Sequence, residues 1–142
     1  MIADEPWIGH IARGVLDRTL PKAEWTHHAH WALALWLLRH RPDRAAAAAM
    51  RDVISGYNRA TGTPNTDTRG YHHTITLASL RGAAAMLAAH PDNAPLDAVL
   101  AALVESPLGC SDWPLTHWRR ETLFAVRARQ GWVEPDLAPL PF

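Results

Sequence analysis

One cysteine, Cys110, stands in a chain of 142 residues. No disulfide can form within it, and the expectation is a reducing compartment, the cytoplasm. Charge of one sign is not in excess either: 14 Lys and Arg balance 14 Asp and Glu. Electrostatic binding of a phosphate backbone or an anionic bilayer rests on a basic surplus, so nucleic acid and membrane drop out as expected partners. Long apolar runs are missing too. The longest, residues 31–38, falls well short of the ~20 that a bilayer span needs. Met1-Ile2-Ala3-Asp4-Glu5-Pro6 has neither the basic start nor the apolar stretch of a secretory leader. No segment reads as a strand, and no repeat or break in composition marks a second domain.

What is there is helical. Hydrophobic residues make up 48% and charged residues 20% of the chain, a composition that folds around a core. Ile8, Ile11, Ala12, Val15 and Leu16 fall on one face of a first helix, with Pro6 in its first turn. A second helix is predicted over 27–39, with Thr26 as its N-cap and an all-round apolar centre that makes it the buried one. A third, over 44–60, is capped by Asp43 and carries Ala46, Met50, Val53, Ile54 and Tyr57 inward. Turn formers fill 61–70. A fourth helix is expected over 71–90, a fifth after Pro95, and a sixth over 116–130, with Gly131 as its C′ residue. The expectation is an all-α, single-domain bundle of five to six helices spanning 1–142.

Histidine is the residue in surplus. Five of the nine lie in two windows, Glu24-Trp25-Thr26-His27-His28-Ala29-His30-Trp31 and Gly70-Tyr71-His72-His73-Thr74. His27 and His30 are three apart, on nearly one helical face, about 5–6 Å between Cβ atoms. In an up-and-down bundle the second and fourth helices run parallel. Their first turns then meet at one end and bring His27, His30 and one of His72 or His73 together. Bundle metal sites are built from such facing side chains. Three imidazoles leave an open position on the ion, and zinc, iron, nickel or copper would all accept them. A bound water acidified toward ~7 would then serve hydrolysis or lyase-type proton transfer.

Trp25-Thr26-His27-x-x-His30, Tyr57-Asn58, Gly62-x-Pro64-Asn65-Thr66-Asp67-x-x-Gly70-Tyr71-His72-x-Thr74-Ile75-Thr76 and Trp132-Val133-Glu134-Pro135-Asp136-Leu137 together resemble a family of small, uncharacterised bacterial all-helical proteins. Its pattern runs Thr-His-x-x-His, then Gly-Tyr-His-Glu-Thr-Ile-Thr, then Glu-Pro-Asp-Leu. The resemblance covers most of the chain. It implies His27, His30 and His72 as the matching histidines, with His28 incidental. His73 stands where the family has Glu.

The expected function is a small-molecule, metal-dependent enzyme of hydrolase or lyase type. His27, His30 and His72 hold a divalent transition metal, His73 and Tyr71 do acid/base work, and Trp25, Trp31 and Arg69 contact substrate. The alternatives are a non-catalytic metal or small-ligand binding protein and a metal-free histidine acid/base enzyme. Oligomeric state stays open, a homodimer included. His10, His40, His90 and His117 read as structural or surface residues, and Cys110 as inert.

Overall fold

The computed structural model describes residues 6–142. The first five residues, on which the leader argument mainly rests, lie outside the described residues. Seven α-helices follow in order: α1 Pro6–Leu16, α2 His27–His40, α3 Ala47–Ala60, α4 His73–Ala88, α5 Leu96–Glu105, α6 Arg120–Leu123 and α7 Val126–Gln130. Short 3-10 turns occupy Lys22–Glu24, Pro42–Ala45, Pro107–Gly109 and Trp113–Thr116. Among the described residues there is no strand, and no helix is long and apolar enough to cross a membrane.

Helix α2 is the axis of the core. Ala29, Ala32, Leu33, Ala34, Leu35 and Leu37 are buried around it, and α1, α4 and α5 pack on it. Removing each of its leucines from water is worth about 2 kcal/mol. The alanines keep the helix slim, which lets its neighbours approach closely. Helix α1 presents Ile8, Ile11, Ala12 and Val15 to that core, and α5 presents Leu96, Val99 and Leu103.

Three boundaries differ from expectation, two for local capping reasons and one through remote partners. Helix α3 starts at Ala47 behind Ala46, which offers no capping side chain. Asp43 sits instead in the preceding 3-10 turn, bonded to Arg41 at 3.1 and 3.2 Å. Helix α4 starts at His73, two residues later than expected, because the His72 side chain is its cap.

The single helix expected over 116–130 is broken into α6 and α7. Leu123, the last residue of α6, gives its carbonyl to His72 Nε2 at 2.7 Å, a bond a continuous helix would have kept for Arg127. The tail competes as well. Asp136 accepts from the Arg119 amide at 2.8 Å and the Thr122 hydroxyl at 2.5 Å, and the buried Trp118 indole donates to Val133 O at 2.9 Å. Gly131 closes α7 in extended backbone (φ −153°, ψ 179°) rather than in the left-handed turn of a C′ glycine.

Candidate functional site

Thr26 caps α2 as its sequence predicts: its backbone is extended and its side-chain oxygen accepts from the Ala29 amide at 3.2 Å. That cap places His27 and His30 in the first turn. His30 Nδ1–H donates to the Thr26 carbonyl at 2.6 Å. The ring is stacked on Trp25, centroids 3.8 Å apart and planes 26° from parallel. With the proton fixed on Nδ1, Nε2 carries a lone pair. Among the described residues no protein group donates to it. His30 is exposed overall, with part of its ring desolvated by Trp25 and the walls of two hollows. That desolvation, aided by nearby His27 and Lys22 and only partly offset by the Thr26 bond, pushes its pKa down to about 4. At neutral pH His30 is therefore an uncharged acceptor.

The two hollows differ in character. The first, about 320 Å³, is walled by Trp25, Trp31, Trp113, Met50 and Leu80, with His27 and His30 on one side and the Thr76, Ser79 and Ser111 hydroxyls as further polar groups. The second, about 300 Å³, is lined by Lys22, Asn58, Thr63, Tyr71, His72 and Thr76. Both share Trp25, His30, Ile54, Ile75 and Thr76. Each volume lies in the range of small-ligand sites. A larger hollow of about 400 Å³ lies between Arg81 and the tail, but no histidine lines it.

The first turns of α2 and α4 thus lie at one end of the bundle, and His30 and His72 face the same hollow. Their nitrogens are not equally free. His72 Nδ1 accepts from the Ile75 amide at 3.2 Å, and Nε2–H donates to Leu123 O. Both ring atoms are spent on backbone, and burial holds the ring neutral by lowering its pKa. His27 Nε2 accepts from the Trp31 indole at 3.3 Å. Among the described residues no group of three His, Cys, Asp or Glu side chains is arranged to hold an ion. As folded, the set His27, His30 and His72 offers one unengaged lone pair, on His30.

Tyr71 and His73 form a pair of their own. The phenol oxygen lies 2.6 Å from His73 Nδ1, and both residues are buried. Burial raises the Tyr71 pKa and lowers that of His73, and the neighbouring Arg51 cation lowers both. The pair is neutral near pH 7. With Nδ1 bare, the phenol donates to it. With Nδ1 protonated, the phenol accepts and its own proton is free for the polar hollow that Tyr71 lines. Arg129 Nη1 donates to Gly70 O at 3.1 Å and Tyr71 O at 3.4 Å, and so holds the entry to α4.

The loop before α4 is fastened by amides. Asn58 Nδ2 donates to Asn65 Oδ1 at 3.0 Å, and the Tyr71 amide donates to the same oxygen at 3.0 Å. Gly70 adopts φ +82°, and a Cβ there would lie 2.4 Å from Pro64 O. Arg69 is exposed on this loop, its amide tied to Thr66 Oγ1 at 3.1 Å, and it lines neither hollow. Trp25 and Trp31 do line the apolar one. Asp67 accepts from Gln130 at 3.0 Å, and Glu24 pairs with His10 at 2.9 Å. Thr74 fixes the tail, donating to Gly131 O at 2.7 Å and accepting from the Val133 amide at 3.1 Å.

Sequence reasoning did not find Lys22, Asn58 or Trp113 as site residues. Asn58 had a signal, since it stands in the Tyr57-Asn58 pair among the segments singled out in the sequence. Lys22 and Trp113 sit on irregular turns where no periodicity points inward. In comparisons with known proteins, no family model, no curated protein and no solved structure matches this chain.

Proposed function

We propose that this protein is a small-molecule enzyme that moves protons with His30 and the Tyr71–His73 pair. The observation that carries the reading is the bare Nε2 of His30 on the wall between an apolar and a polar hollow. The substrate's apolar body lies among Trp25, Trp31 and Trp113, and its reacting group faces His30. A ring so hard to protonate accepts a proton only from a group already acidified. Tyr71, facing the polar hollow, supplies a hydrogen-bond donor toward the substrate oxygen on which charge develops. Lyase-type proton transfer fits these parts. A divalent metal is the second reading, favoured by His27 and His30 lining the same hollow. It requires the His27 ring to give up its bond from Trp31.

Indole and indene test the site, because they share a shape and only indole has an N–H for Nε2. Indole should bind about fivefold tighter than indene, the worth of one net hydrogen bond of about 1 kcal/mol, and His30→Ala should remove the difference. Equal affinities in the wild type would overturn the assignment of His30. Exchange of carbon-bound hydrogen with D₂O, screened over aromatic ketones and alcohols, tests the chemistry. Exchange should survive EDTA and be lost in His30→Ala. Exchange abolished by EDTA gives the function to the metal reading. Absence of exchange with indole preference intact gives it to a carrier.

A further inference from the structure

The residues lining the two hollows include one formally charged side chain, Lys22, and no aspartate or glutamate. Lys22 opens the 3-10 turn Lys22–Glu24 and reaches the polar hollow. Its ammonium donates to Asn58 Oδ1 at 3.3 Å and lies 5.3 Å from the centre of the Tyr57 ring. Asn58 is buried, and its other amide group is committed to Asn65, so its oxygen is a fixed rest for the lysine. The carboxylate nearest in sequence, Glu24, is engaged by His10. The remaining charge of Lys22 therefore meets no acidic group in the hollow. Around it stand the Thr76 hydroxyl and the Tyr71 phenol, and His30 and His72 are neutral. On the far side of His30 the apolar hollow has three indole walls and no charge.

We propose that the substrate is an amphipathic monoanion: a flat apolar body among Trp25, Trp31 and Trp113, and a carboxylate held by Lys22 in the polar hollow. The inference rests on the reading of the joined hollows as the substrate site. A second carboxylate would find no second cation in this lining, and an ammonium would find no carboxylate. The carboxylate on Lys22 and the rings on the tryptophans fix the molecule at both ends, so the atoms between them lie against His30 Nε2.

Indole, indole-3-acetate and tryptamine carry one ring system with no charge, one negative charge and one positive charge. Binding is read by calorimetry at low and at physiological salt. Indole-3-acetate should bind about fivefold tighter than tryptamine, as an ion pair to an exposed ammonium implies, and the margin should narrow as salt rises. Lys22→Met should erase the preference and leave the affinity for indole unchanged, and Lys22→Arg should keep it. Lys22 lies exposed on its turn, and the unchanged indole affinity reports that the variant is folded. If indole binds as His30 requires but the acetate gains nothing over tryptamine, or gains equally in Lys22→Met, this inference falls and the His30 site stands. If none of the three binds, both fall.

Discussion

His72→Ala is the substitution that separates a scaffold histidine from a metal ligand. His72 precedes the first residue of α4 with extended backbone (φ −129°, ψ 109°) and accepts the Ile75 amide through Nδ1. Loss of an N-cap costs about 1 kcal/mol. The same ring donates to Leu123 O, and Leu123 is 1% exposed. A buried carbonyl left without its donor costs roughly 1–3 kcal/mol. The expected loss for His72→Ala is therefore roughly 3 kcal/mol, a large share of the ~5–15 kcal/mol that holds a domain folded. In a chain of this length that lowers Tm by roughly 10 °C. His72→Asn keeps a good cap but is too short to reach Leu123, so it should lose about two-thirds as much. Urea unfolding followed by far-UV circular dichroism measures both variants, with EDTA and with added zinc. A loss for Ala under about 0.5 kcal/mol, or Asn as damaging as Ala, would refute the capping argument. A loss seen only with zinc would make His72 a ligand.

Three further outcomes follow from the same geometry. His30, His72 and His73 all have lowered pKa values in the folded chain, so the unfolded chain binds protons more readily than the folded one below ~6.5. The stability tied to their neutral forms is fully present above that pH and is lost as pH falls, for His30 down to about 4; a urea midpoint that stays flat or rises from pH 7 to pH 4 would contradict this. Gly70→Ala should cost roughly 3 kcal/mol, because a left-handed φ is joined to collisions with Pro64 O and Asn65. Gly62→Ala, at φ +83° with nothing within 4 Å, should cost only about 1 kcal/mol, and thermal melts of the two variants that coincide would refute the difference. Thr74→Val removes a hydroxyl that both donates and accepts, and should cost about 2 kcal/mol and expose the tail after Gly131 to limited proteolysis. Thr74→Ser should stay near wild type, and a protease pattern unchanged in the valine variant would show that the tail is held by other contacts.

The helices that were legible in the sequence are those whose own periodicity decides them. Thr26 before a run of apolar residues announces α2 to within one residue, and the stripes of α1 and α5 point inward as their spacing requires. The chain after residue 116 was not legible, because its outcome depends on remote partners. Leu123 gives its carbonyl to His72, 51 residues away, and Asp136 takes the Arg119 amide across 17. No local pattern encodes such competition. The site divides in the same way. The meeting of the first turns of α2 and α4 follows from helix order alone. Which nitrogen each ring has left depends on neighbours such as Trp31, Leu123 and Tyr71, and only two of those three stand near the histidines in sequence.

That division explains why a histidine-rich window is a weak guide to chemistry until lone pairs are assigned. An imidazole has two ring nitrogens and, when neutral, one proton. His72 spends both on backbone and joins α4 to α6. His27 spends its acceptor on the Trp31 indole, and the proton on its other nitrogen leaves it a donor. His73 holds Tyr71. In His30 the carbonyl of its own cap takes the proton and Trp25 takes the face, so the remaining lone pair is directed by the scaffold and unused by it. His27, His72 and His73 are each tied into the scaffold by their ring nitrogens. Replacing them should therefore act first on stability, and replacing His30 first on ligand.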